Sequence, residues 1–129
     1  MTAIGVRVVD ASALGAVLFE EPNAEATSVR LRGAALVAPQ LLAYEIANVC
    51  LKKLRAHPAL REAILLQFAA WSQMGIELVE IDTRALPQFA EKFGLTSYDA
   101  SYLWLSRELG VELVTLDRQL ARAAAAALR

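Results

Sequence analysis

A chain of 129 residues has room for one domain with a substantial core, and 57% hydrophobic residues with a mean hydropathy of +0.39 make it apolar for its size. A net charge of −1 excludes a protein that holds nucleic acid by bulk charge, though not one that meets it locally. No apolar run approaches the roughly eighteen residues a membrane helix needs, and no charged leader precedes an apolar stretch at the N-terminus, so the expectation is a cytoplasmic protein with no membrane partner.

In chain order, Val6 to Val9 is a β-branched run that ends at Asp10, which predicts a central strand with an acid at its carboxyl end. Helices are predicted over Ala13 to Glu20 and Ala24 to Leu31, the second stopped by Gly33. A brief strand, Ala35 to Ala38, ends at Pro39. From Gln40 to Arg55 the residues Leu42, Ile46, Val49, Cys50 and Leu54 recur at helical spacing, the clearest amphipathic helix in the chain. Cys50, the one cysteine, excludes an internal disulfide and reads as a packed thiol on that stripe. His57 and Pro58 break the helix, and His57 reads as a surface turn residue. Ala59 to Met74 predicts another helix ended by Gly75, and Glu77 to Ile81 a strand. Asp82 or Thr83 caps a helix that runs to Phe93 and Gly94. Then follow a strongly apolar helix around Asp99, a strand from Leu113 to Thr115 ending near Asp117, and an alanine-rich helix from Arg118.

Strands alternating with helices over residues 1–129 imply a single α/β domain: a three-layer α/β/α sandwich around a central parallel sheet with right-handed crossovers. Ligands of such sheets bind outside the carboxyl ends of the strands, where Asp10 and Asp117 fall. Glu45 lies at the edge of the apolar stripe of its helix, and Asp99 in the first turn of an otherwise apolar one. Each acid has an ordinary structural explanation. Asp10 and Asp117 suit turns after strands, Glu45 suits a helix dipole, and Thr96 with Asp99 makes a capping-box pattern. Four acids that meet at one rim need more than that. Carboxylates about 5 Å apart repel by roughly 3 kcal/mol at an effective dielectric near 20, so a cluster requires protons or a cation. An oxygen-only donor set selects a hard ion such as Mg²⁺ or Mn²⁺ over zinc.

The segments VVDAS, LAYEIANV, LTSYDASYLWLSRELG and LVTLD, in that order and across nearly the whole chain, resemble the PIN-domain ribonucleases, specifically the VapC toxins of toxin-antitoxin pairs. The resemblance implies that Asp10, Glu45, Asp99 and Asp117 form an acidic quartet that coordinates Mg²⁺ or Mn²⁺ and catalyses RNA phosphodiester hydrolysis. Asp10, Glu45 and Asp99 are then the ligand core, with Asp117 acting through a second ion or a bound water. Ser12 and Thr115 match the hydroxyl residues the family places beside the quartet. A homodimer and a VapB-like antitoxin that wraps the toxin are also implied. Leu14, Leu18, Leu51 and Leu54 are candidates for the antitoxin groove or for the core, and Lys52, Lys53, Arg55 and Arg118 for contacts to the RNA backbone or for a solvated helix face. Tyr98, Tyr102 and Trp104, on an apolar helix, read as core or dimer packing more than as base-stacking platforms. Two other classes share parts of the pattern. A receiver-like phosphotransfer domain wants adjacent acids after the first strand and a late lysine, and this chain has Ala11 after Asp10 and no lysine from Thr115 to Asp117. A catalytically inert PIN-like interaction module would keep the shape without the chemistry.

Overall fold

Four short strands, every neighbouring pair parallel, form the centre of the computed structural model, which describes residues 5–127. They are β1 (Gly5–Val9), β2 (Ala34–Pro39), β3 (Glu77–Val79) and β4 (Leu113–Val114), and their order in the sheet is β3-β2-β1-β4. Among the described residues seven α-helices flank them: α1 (Ala11–Leu18), α2 (Ala24–Leu31), α3 (Leu41–Ala56), α4 (Arg61–Ala69), α5 (Leu86–Phe93), α6 (Ser97–Leu109) and α7 (Arg118–Ala127). Parallel neighbours cannot be joined by a hairpin, so each connection carries a helix over a face of the sheet. A three-layer α/β/α sandwich results.

The chain steps outward from β1 to β2 and β3, then returns to the far side of β1 to lay down β4. That reversal puts a topological switch point between the carboxyl ends of β1 and β4, where open α/β sheets bind ligands. Val8 and Val9 of β1 pair with Leu113 and Val114 of β4, so the residues that follow the two strands emerge side by side. The return is prepared at the end of α6. Gly110 caps that helix in the left-handed region at φ 66°, Val111 N–H donates to the Ser106 carbonyl at 3.0 Å, and the fully buried Ser106 hydroxyl donates to the Val111 carbonyl at 2.5 Å.

The core lies around the sheet: Val8, Val9, Val114, Leu14, Leu42, Ile46, Leu103 and Leu120 are fully buried. Each such aliphatic side chain contributes about 1.5–3 kcal/mol relative to exposure. Cys50 is buried and unpaired. Two of the proposed groove residues belong here, because α1 is packed between α2 and α3: Leu14 and Leu18 are core, 0% and 7% exposed. Leu54 packs half-buried against the core, and Leu51 alone of the four is exposed.

Several boundaries also differ from expectation. α1 starts at Ala11, because Asp10, the residue directly after β1, is its N-cap. The helix expected over Ala59 to Met74 is divided into a 3-10 turn at Pro58–Leu60, α4, and a second 3-10 turn at Ala70–Gln73. β3 closes at Val79 and β4 at Val114, since pairing with the neighbouring strand ends there.

Candidate active site

Asp10 leaves the sheet at the switch point, 5% exposed, and three donors are directed at its carboxylate. Its Oδ1 accepts from the Ala13 backbone N–H at 2.9 Å, which caps α1, and from the Ser12 hydroxyl at 2.7 Å. Its Oδ2 accepts from the Thr115 hydroxyl at 2.5 Å. The two hydroxyls are themselves held by the exit of β4. Leu116 N–H donates to Ser12 Oγ at 2.9 Å, Asp117 N–H donates to Thr115 Oγ1 at 3.0 Å, and the two hydroxyl oxygens lie 3.3 Å apart. Burial pushes the Asp10 carboxyl above its ordinary value, against the three hydrogen bonds that favour its charge, and the Asp117 charge pushes the same way as burial.

Three more acids share this end of the sheet. Glu45, one turn into α3 and half-buried, accepts the Tyr102 hydroxyl on Oε1 at 2.5 Å. Burial raises its pKa, Tyr102 lowers it, and the charges of Asp99 and Asp10 raise it. Asp99, in the first turn of α6 and also half-buried, is raised by burial and then by the charges of Asp117 and Asp10. Its place in the expected capping box is only half taken. Thr96 caps α6 by accepting the Asp99 N–H at 3.1 Å, but no donor among the described residues reaches the Asp99 carboxylate. Asp117 is exposed, and its Oδ1 accepts from Leu120 N–H at 2.9 Å, capping α7.

Among the described residues none of the four acids forms an ion pair; the four salt bridges lie elsewhere, on Glu112, Glu21 and Asp82. A cluster of carboxylates that raise one another's pKa without a basic partner is neutralised by protons or by a cation. The donor chemistry, oxygen throughout, suits a hard divalent ion. The acids share an electrostatic neighbourhood, yet among the described residues no three acidic, histidine or cysteine side chains converge tightly enough to cage an ion by themselves. Asp10 and Glu45 are tethered by hydrogen bonds, and Asp99 is not.

Among the candidate cations, Lys52 and Arg55 on α3 and Arg118 at the start of α7 are exposed. Lys53 is engaged instead: its Nζ lies 2.7 Å from Glu21 Oε1 and 5.3 Å from the centre of the Phe19 ring. A cleft of about 530 Å³ has Gln40, Leu41, Ile81, Leu86, Tyr98 and Ser101 in its walls. None of the four acids lines it, although Tyr98 precedes Asp99 and is 65% exposed on its rim. Trp104 packs edge-on against Phe89 at 5.2 Å, and Tyr102 is 1% exposed, so neither presents a face to a base. Tyr102 is the residue that sequence reasoning placed among packing side chains without seeing its hydroxyl on Glu45. The available signal was its spacing, three residues after Asp99 on one face of α6. Burial pushes the Tyr102 phenol far above its usual range, with the neighbouring Glu45 adding to the effect, so the hydroxyl keeps its proton and acts as a donor.

A PIN domain family model matches residues 7–126. Ribonuclease VapC3 of Pyrobaculum aerophilum is 38% identical over 123 residues, covering 88% of this chain and 91% of that protein. The crystal structure of PAE2754 from Pyrobaculum aerophilum superposes with a TM-score of 0.76 at 27% identity, covering 95% of this chain and 87% of that one.

Proposed function

The chain belongs to the PIN-domain family, and from that premise we propose that it is a Mg²⁺- or Mn²⁺-dependent endoribonuclease, a VapC-like toxin neutralised by a VapB-like antitoxin. One observation supports this reading: four carboxylates without basic partners among the described residues act on one another electrostatically, in a chain that spans nearly all of a relative named as a ribonuclease. Asp10, Glu45 and Asp99 are the residues that would hold the ion, with Asp117 in support. When bound, such an ion supplies an activated water and offsets charge on the scissile phosphate.

The chain's own residues do the rest. Ser12, Thr115 and the Ala13 N–H fix both oxygens of Asp10, so its carboxylate is oriented before any ligand arrives. Asp99, unbonded and half-exposed, adjusts to what binds. Lys52, Arg55 and Arg118 offset the repulsion between the acids and the RNA backbone. Exposed Leu51, Leu65 and Leu66 on α3 and α4 offer apolar surface to a second copy or to the antitoxin, in a cytoplasmic complex.

The test is incubation of the purified chain with a structured RNA under chelator, Mg²⁺ or Mn²⁺. Cleavage is expected only with metal, and it should leave 5′-phosphate and 3′-hydroxyl ends, because water rather than the ribose 2′-hydroxyl attacks. Cleavage that persists in chelator, or that yields cyclic phosphates, refutes the mechanism. Binding of an antitoxin with no cleavage under any metal supports the inert interaction module instead.

A further inference from the structure

Among the described residues the α3 and α6 helices are joined by one hydrogen bond between polar side chains, from the Tyr102 hydroxyl to Glu45 Oε1 at 2.5 Å across 57 positions in sequence. Among the described residues Tyr102 is the one donor that reaches the Glu45 side chain, and the charges of Asp99 and Asp10 act on the same carboxylate. A glutamate has three rotatable bonds between its backbone and its charge. Repelled by two like charges and left free, it would turn toward solvent. Tyr102 cannot follow it there: its ring is 1% exposed, among the largest fully buried side chains of the protein, and packed in the core with Leu103 and Leu42. Its hydroxyl is therefore a fixed point rather than a mobile partner.

We propose that Tyr102 is a positioning residue that clamps one oxygen of Glu45, holding the other toward Asp10 and Asp99 as a preformed ligand for a divalent ion. This rests on the metal-dependent reading of the acidic site. Outer hydrogen-bond partners of this kind orient metal-binding side chains, and their loss commonly weakens metal affinity about 10- to 100-fold. Packing alone makes a different demand, since a phenylalanine ring fills the same space.

The experiment is a double-mutant cycle on the full chain with Tyr102→Phe, Glu45→Gln and the pair, reading the Mn²⁺ dissociation constant by electron paramagnetic resonance, kcat and KM for RNA, and Tm. Tyr102→Phe is expected to weaken Mn²⁺ about 10-fold and to lower kcat with KM unchanged. In the Glu45→Gln background it should change Mn²⁺ affinity less than about twofold, because the clamped charge is already gone. Unchanged Mn²⁺ affinity with a lowered Tm, or an equal loss in both backgrounds, overturns the proposal. A wild-type chain that binds Mn²⁺ and cleaves RNA while Tyr102→Phe does the same overturns the clamp alone; a wild-type chain that binds no Mn²⁺ removes the nuclease reading and the clamp together. A measurement on the unmutated chain stands beside these: adding Mg²⁺ should shift the hydroxyl proton resonance of Tyr102, and an unmoved resonance counts against the clamp even if the variant does not fold.

Discussion

Replacing Asp99 by asparagine separates charge from shape at the one acid of the cluster that has no hydrogen-bonded job in the fold. Its backbone N–H, not its carboxylate, is what Thr96 uses to cap α6, and asparagine leaves that bond intact. A like-charge pair about 8 Å apart repels by roughly 2 kcal/mol at an effective dielectric near 20. Because Asp99 is partly exposed, solvent and salt screening cut this by half or more. Relief from Asp10 and Asp117 together then amounts to on the order of 1 kcal/mol, and the metal-free variant should melt roughly 3–5 °C higher than wild type. Activity should move the opposite way, falling at least about 100-fold, because about 2.7 kcal/mol or more of transition-state stabilisation goes with the lost charge. Saturating Mg²⁺ at about 100 times its dissociation constant should stabilise wild type by about 2.7 kcal/mol and the variant by much less. Thr96→Ala serves as the contrast, removing the cap at a cost of about 1 kcal/mol with the acids untouched. The assay pairs thermal unfolding, with and without Mg²⁺, with cleavage of a structured RNA. Full activity in Asp99→Asn, or stability lost in step with activity, would exclude Asp99 as a metal-binding acid.

The raised pKa values of Asp10, Glu45 and Asp99 give a pH dependence of definite sign. Between the ordinary carboxylate values near 4 and the raised ones the folded chain binds more protons than the unfolded chain, so the stability contributed by these groups is greatest at the acid end of that window and falls as pH rises through it. Melting curves in chelator, taken as the difference between wild type and Asp99→Asn, should show that decline, and saturating Mg²⁺ should flatten it; a difference that grows in favour of wild type with pH would contradict it. The lysines divide by their partners: Lys52→Ala and Arg55→Ala should weaken RNA binding and reduce its salt dependence, whereas Lys53→Ala should lower Tm through loss of Glu21 and the Phe19 ring and leave RNA affinity unchanged. Filter-binding titrations at several salt concentrations separate these, and an RNA defect in Lys53→Ala would return that residue to the interface.

The alternation of strands and helices was legible because it is a matter of periodicity: Val6 to Val9 and the stripe from Leu42 to Leu54 announce their elements without tertiary information. The edges were not, since β3 and β4 stop where their neighbours stop pairing, a fact absent from either segment alone. The helix from Ala59 to Met74 was overdrawn for a related reason: its composition permits a helix throughout, and the chain nevertheless tightens into 3-10 turns at both ends. Leu14 and Leu18 stood open between groove and core because whether an apolar stripe meets solvent or a second helix depends on α2, which follows α1 and packs against it. At the site, Asp10 shows that structural and chemical readings of one residue are not rivals, since a single carboxylate caps α1 with one oxygen and receives Thr115 on the other. Tyr102 stayed hidden because its apolar ring dominates any pattern drawn from its helix.

The Thr115 to Asp10 hydrogen bond spans 105 positions, and that separation bears on how the protein comes together. β1, although central, has its second flank open until β4 docks, and β4 contributes only two paired residues. Loop-closure entropy of that size is met late in folding, after the local α-helical contacts have formed. A chain folded as far as β3 therefore holds Asp10 without Thr115 or Asp117 beside it, and it is spared the charge repulsion of the finished cluster while the rest of its core consolidates. The same order run backwards makes the β4–α7 segment the natural first point of opening. Detachment there would release Thr115 from Asp10 and dismantle the acidic site while α3, α6 and most of the core remain in place, so loss of activity on mild heating should precede loss of helix.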